Sequence, residues 1–131
     1  AHFTVHQAPE HDLKPGQLMM MTIRSHDQYN TTVYGLDDRY RGLYGTRRVV
    51  LVSPQDLEDL GLIQGQRVTL VSHFRGQQRR APGFLLVAYD MPPKMAATYF
   101  PEANVLVPVD SFAKRSRTPT SKSVVITVDP T

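Results

Sequence analysis

Apolar residues in this chain fall mostly in short runs separated by polar, Gly- and Pro-containing stretches, a pattern that predicts many short strands and little helix. LMMMTIR (Leu18 to Arg24) has the length of a strand and no helical spacing, as expected for a strand buried on both faces. RRVVLVS (Arg47 to Ser53) is β-branched, and in RVTLVSHF (Arg67 to Phe74) Val68, Leu70 and Ser72 alternate with Thr69, Val71 and His73. RGQQRR reads as the tip of a hairpin that returns as GFLLVAY (Gly83 to Tyr89), with Pro92-Pro93 ending the strand. Lys94 to Thr98 reads as one helical turn. NVLVPVD (Asn104 to Asp110) and SVVITVD (Ser123 to Asp129) read as the last strands, joined by the polar loop SFAKRSRTPTSK.

PQDLEDLGL (Pro54 to Leu62) is the one clear helix. Ser53 can accept from the free amides of its first turn, Pro54 suits the first helical position, Asp56 favours the positive end, and Gly61 closes it. Residues 1–16, ending at Pro15-Gly16, lack a period and read as a leading linker, with the folded unit running from 18 to 131. SHDQYNTTVYG and LDDRYRGLYG (Ser25 to Gly45) form one long polar loop, and loops of that length in a compact domain are usually functional or disordered. Tyr29, Tyr34, Tyr40 and Tyr44 argue for order. Six or so strands with one helix, joined by both hairpins and crossovers, predict a mainly β barrel of mixed parallel and antiparallel pairing with short helical insertions.

At 131 residues the chain fits one domain and cannot hold two catalytic ones. It has no cysteine, which excludes disulfides, thiolate metal sites and a thiol nucleophile within this span. No run approaches the roughly 20 apolar residues that cross a bilayer, no address signal is visible, and a cytoplasmic location is the default expectation. The missing initiator Met suggests a fragment of a longer protein. Net charge is +3, and the basic residues cluster: Arg39, Arg41, Arg47 and Arg48; Arg75, Arg79 and Arg80; Lys114, Arg115, Arg117 and Lys122. Such clusters suit a polyanionic partner or simply solvated loops. His2 and His6 have helical metal spacing but no third ligand, and Asp56, Glu58 and Asp59 are better explained by the helix dipole than as a glycosidase pair.

VVLVSPQDLEDLGLIQGQRVTLVS (Val49 to Ser72) resembles the strand–helix–turn–strand signature of the dinucleotide-binding domain at the C-terminal end of molybdopterin oxidoreductases. The signature also occurs in other double-psi β-barrels, so two flanking segments carry the distinction. MTIRSHDQYNTTVYGLDDRYRG (Met21 to Gly42) resembles the opening loop of formate dehydrogenase-like alpha subunits, where Thr-x-Arg precedes a ligand-contacting loop. FPEANVLVPVDSFAKRSRTPTSKSVVITV (Phe100 to Val128) resembles the closing motif of Asn-x-Leu, Asp and Thr-Pro-x-x-Lys.

The resemblance implies a double-psi β-barrel that covers part of a molybdopterin guanine dinucleotide. In the complete enzyme two such molecules would hold molybdenum or tungsten, a 4Fe–4S cluster would often be bound elsewhere, and the partners would be N-terminal catalytic domains of the same chain and an electron-transfer subunit. It implies no nucleic-acid partner and no membrane segment.

A guanine dinucleotide presents a diphosphate, ribose hydroxyls and a purine edge, so its site needs cations, hydroxyl partners and planar surfaces. Thr22 and Arg24 stand at the end of a buried strand, from which the guanidinium could fork onto phosphate. Ser25, His26, Gln28, Tyr29, Asn30, Thr31 and Thr32 follow as small donors and acceptors with a ring to pack on, and the backbone amides of such a loop can form an anion nest. Asn104 could read guanine or a ribose hydroxyl, Asp110 could accept from guanine amino groups, and Lys122 could neutralise phosphate. Arg24 as a structural ion pair, Asn104 as a turn former, Asp110 as a cap and His26 as a bystander are the competing roles. Asp37, Asp38, Arg39 and Arg41 read as interface charges.

Two other functions remain open at this point. One is a nucleic-acid-binding barrel with Arg clamps and Tyr stacking platforms, and the other is a self-contained substrate-recognition barrel.

Overall fold

The computed structural model describes residues 1–5 and 12–131. Six strands close into a barrel: β1 (Leu18–Ile23), β4 (Val49–Val52), β5 (Arg67–Phe74), β6 (Gln77–Ala88), β7 (Met95–Tyr99) and β8 (Val124–Pro130). Two further strands, β2 (Gln28–Tyr29) and β3 (Thr32–Val33), form a small separate hairpin, and the one α-helix among the described residues, α1, is Pro54–Asp59. Around the barrel the order is β1-β7-β4-β6-β5-β8, and β8 returns to pair with β1. β1 with β7 and β4 with β6 are parallel, and the other four pairs are antiparallel. This is the mainly β, mixed-pairing barrel expected from the sequence.

Alternation along the strands fills the interior. Leu18 and Met20, Val50 and Val52, Val68 and Leu70, Phe84 and Leu86, and Val124 and Ile126 form the core with Leu57, Leu62, Ala96 and Leu106. The opposite face of four strands is apolar too: Val49, Leu51, Ala97 and Tyr99 form a second cluster with Leu43, joined by Met21 and Ile23. That is why LMMMTI shows no alternation, since a strand covered on both faces has no polar side to display.

α1 begins as its sequence prescribes. The Ser53 hydroxyl accepts from the Asp56 amide at 3.0 Å and donates to its carboxylate at 2.7 Å. Asp56 has a further task, because both of its carboxylate oxygens accept from the Lys94 amide at 2.9 Å, which fixes the start of β7. Asp56 is 3% exposed, so Asp56→Ala strands the Lys94 amide and leaves the Ser53 hydroxyl without its carboxylate acceptor, while the backbone bond that caps the helix stays. The expected loss is about 1–3 kcal/mol, read by chemical denaturation.

Three expectations are corrected. Lys94 to Thr98 is not a helical turn; Met95–Tyr99 is a barrel strand between β1 and β4. Met and Ala favour helix, but so short a segment cannot sustain one, and two ladders of hydrogen bonds override the propensity. NVLVPVD is not a strand: Asn104–Leu106 is a 3₁₀ turn with consecutive Leu106, Val107 and Pro108 buried and Asn104 and Val105 exposed, a burial pattern no pleat produces. The hairpin tip is only Arg75-Gly76, with φ of 49° and 78°, while Gln77 to Arg80 pair with β5. Two successive left-handed residues match the twist of the flanking strands.

The long loop is ordered, as expected, but not through its tyrosines. Tyr29, Tyr34, Tyr40 and Tyr44 are all at least 66% exposed. No helix among the described residues is long and apolar enough to cross a membrane, and no cluster of three or more His, Cys, Asp or Glu forms among them. His6 of the weighed His2/His6 pair lies outside the described residues.

Candidate functional site

Strand directions gather the sequence-predicted walls at one end of the barrel. β1 and β7 run side by side to Ile23 and Tyr99, and β8, antiparallel to β1, sets out from the same end. The chain after β1 and the chain before β8 therefore meet. The Thr22 amide donates to the Ser121 carbonyl at 2.9 Å, and the Lys122 ammonium donates to the Thr22 carbonyl. Thr22, Ile23, Arg24, Phe100, Ser121 and Lys122 line a cavity of about 220 Å³.

Arg24 also lines a second cavity of about 310 Å³ with Ser25, His26, Asp38, Tyr40, Arg41 and Tyr89. Its exposed guanidinium stands between the two cavities without a side-chain partner among the described residues. Lys122 is exposed and retains two further N–H donors beyond its bond to Thr22.

Other predicted residues are occupied by the chain itself. The Ser25 hydroxyl accepts from Arg47. The Gln28 carbonyl oxygen accepts from the Ser25 amide at 3.2 Å and from Arg47 at 2.9 Å, and its amide nitrogen donates to the carbonyls of Phe100 at 2.6 Å and Asn30 at 2.8 Å. The His26 Nε2 lies 3.0 Å from an Arg39 nitrogen, and its ring stands edge-on to Tyr40 at 4.3 Å between centroids. Tyr29, Asn30, Thr31 and Thr32 form the exposed β2–β3 turn, where Asn30 adopts a left-handed φ of 50°. Asn104 is exposed in its 3₁₀ turn, and Asp110 lies 3.9 Å from Arg75 at the β5–β6 turn. Neither lines the two cavities.

Sequence reasoning missed what holds this rim together. Arg47, placed in a basic cluster by its spacing, is 2% exposed. It donates to Glu102 through two nitrogens at 2.6 and 3.1 Å, to Ser25, to Gln28, and to the Phe100 carbonyl at 2.8 Å, and it lies 4.8 Å over the Tyr99 ring. Asp38, read as an interface charge, is 1% exposed and accepts from Arg41 at 2.5 Å and from the Tyr99 hydroxyl at 2.6 Å. Arg41 also reaches the Arg24 carbonyl at 3.2 Å. The only signal in the sequence was the density of opposite charges in LDDRYRG, and it could not say which of them turn inward.

Burial pushes the Asp38 carboxyl up, but the hydrogen bonds from Tyr99 and Arg41 outweigh it and hold the group below the usual carboxylate range. Burial and the bond to Asp38 drive the Tyr99 phenol upward, so it stays protonated and donating. A depressed folded pKa means that stability is fully present above the unfolded value of about 4 and is lost as pH falls through the folded value. Unfolding scans from pH 6 downward should therefore show a fall below about pH 4 that Asp38→Asn makes shallower. An unchanged slope would remove the ion pair from the acid response.

Arg24 and Lys122, the exposed cations beside the first cavity, suit a diphosphate. The second cavity has Asp38 on its wall, and the Oδ1 of Asp38 is buried without a hydrogen-bond partner among the described residues. The donor set therefore fits a ligand that brings phosphate oxygens together with N–H or O–H groups.

Comparison with known proteins agrees with this geometry. Residues 18–125 match the family described as the molydopterin dinucleotide binding domain. The chain is 51% identical to the uncharacterized oxidoreductases Rv2900c of Mycobacterium tuberculosis and Mb2924c of Mycobacterium bovis, over all of this chain and 18% of each relative. It is 39% identical to protein YdeP of Escherichia coli over 87% of this chain and 15% of that protein. The chain thus spans less than a fifth of the length of these relatives. Its match from β1 to the start of β8 makes it a member of the molydopterin dinucleotide binding domain family.

Proposed function

We propose that this chain binds and orients a molybdopterin guanine dinucleotide as one domain of a molybdenum- or tungsten-dependent oxidoreductase similar to formate dehydrogenase alpha subunits. One observation carries the reading: the segment around Thr22 to Arg24 and the segment at Ser121 to Lys122, 97 residues apart from Arg24 to Ser121, share one cavity with a guanidinium at its edge that has no side-chain partner among the described residues. Arg24 and Lys122 supply fixed positive charge for the diphosphate. His26, Tyr29, Asn30, Thr31 and Thr32 supply an adjoining polar wall, while Ser25 and Gln28 shape that wall from within. Asn104 and Asp110 sit on the exposed chain between the Phe100 turn and Lys122, where a base edge or ribose would meet them. The metal–pterin end of the cofactor, held chiefly by other domains, supplies the electron-transfer chemistry.

The nucleic-acid reading loses support because Arg41 and Arg47 are engaged by Asp38 and Glu102 and are not available to a phosphate backbone. Acid release of the bound nucleotide from the full-length protein, followed by chromatography, tests the proposal. Guanine nucleotide in proportion to molybdenum or tungsten is expected. A different base would overturn the guanine assignment, and no nucleotide at all would overturn the binding role.

A further inference from the structure

We propose that Arg47, braced by Glu102, is the positioning residue of the dinucleotide rim: it touches no ligand itself but sets the direction of the two chain segments that do. The proposal rests on the reading that the rim holds the dinucleotide.

Arg47 lies just ahead of β4, and its guanidinium joins the segments that leave β1 and β7 beyond the last ladder bond between them, the Phe100 amide to the Ile23 carbonyl at 2.9 Å. On one side are the Ser25 hydroxyl and the Gln28 side chain, one and four residues after Arg24. On the other are the Phe100 carbonyl and Glu102, four and two residues before Asn104. Gln28 closes the ring by donating to the same Phe100 carbonyl that Arg47 uses. Phe100 and Arg24 are both walls of the smaller cavity; the Phe100–Ile23 backbone bond sets how close they lie, and the Arg47 junction sets the direction in which the two segments leave it.

The geometry is one that only arginine can make. A planar fork with five donors, here directed at four different residues while its face covers Tyr99, cannot be replaced by the point charge of lysine. A buried ion pair also needs more justification than stability, because well-packed apolar residues usually do as well. Coupling two ligand-bearing segments is a task that apolar packing performs poorly, since it fixes distance without fixing direction.

The test uses full-length protein loaded with its nucleotide, and compares Arg47→Lys, Glu102→Gln and Arg24→Ala at a temperature where each is folded by circular dichroism. The readouts are the rate of nucleotide loss during dialysis and amide hydrogen exchange. Arg47→Lys and Glu102→Gln should each speed nucleotide loss about tenfold, the loss of roughly one charge-assisted contact. Amide exchange should quicken at residues 25–30 and 100–104 but not in β5, β6 or β8. A lowered melting temperature with nucleotide loss and local exchange unchanged would make Arg47 a stability residue only and overturn the proposal, provided Arg24→Ala does release nucleotide. If Arg24→Ala also leaves retention unchanged, the ligand assignment of the rim falls first, and the positioning role falls with it.

Discussion

Arg47→Ala should lower the unfolding free energy by about 2–4 kcal/mol, the largest stability effect of any surface-rim substitution in this protein. Removing one partner of a fully buried pair costs about 3–5 kcal/mol, because the remaining charge has neither water nor counterion. Here the Glu102 side chain is 24% exposed, so water recovers part of that penalty and the lower range applies. The Ser25 hydroxyl, the Gln28 carbonyl oxygen and the Phe100 carbonyl lose a donor at the same time, and Tyr99 loses the cation over its ring. Urea denaturation of the variant beside Glu102→Ala and the double variant would separate these parts. If the double variant is as stable as the wild type, the pair itself contributes nothing and the loss in Arg47→Ala comes from the stranded carboxylate. A single variant within about 0.5 kcal/mol of wild type would show that the network is not formed in solution.

The second large effect is on binding. Arg24→Ala combined with Lys122→Ala should weaken dinucleotide retention in the full-length protein by roughly 100-fold. Each charge-assisted contact contributes about 1.5–3 kcal/mol, and the low end is appropriate because both side chains are solvent-exposed. Stability should barely change. Arg24 makes no side-chain bond within the chain among the described residues, and Lys122 gives up one bond to the Thr22 carbonyl. Metal and nucleotide per chain, measured beside the melting temperature, decide it. Full occupancy in the double variant would mean that phosphate is held by other domains and that these two cations serve only the surface of the barrel.

The contrast between Arg24 and Arg47 illustrates what could be read from the residues. Both are arginines flanking a short apolar strand; Arg24 was expected to fork onto phosphate, and Arg47 was read only as part of a basic cluster that suits a polyanion or solvated loops. The structure turns Arg47 inward to Glu102 and leaves Arg24 in the open between two cavities. Glu102 is 55 positions away from Arg47, and no local rule pairs residues at such a distance. Asp38 is the same case, with its partner Tyr99 at a separation of 61.

Local chemistry settled those elements whose signals are local. Alternation and β-branching marked β4, β5 and β8, and Ser53, Pro54 and Gly61 marked α1, because period and capping act over a few residues. Two lines of polar chain were recognisable as candidate walls from their composition and family resemblance. Tertiary structure alone made Met95–Tyr99 a strand, because its two ladders come from β1 and β4, and made the Asn104 segment a turn, because the end of the barrel there needed a plug and not another strand. It alone also sorted the charges into buried braces and exposed cations. Hydrophobic period is written in neighbouring residues, whereas the partner of a charge is chosen by which strands the closed barrel brings side by side.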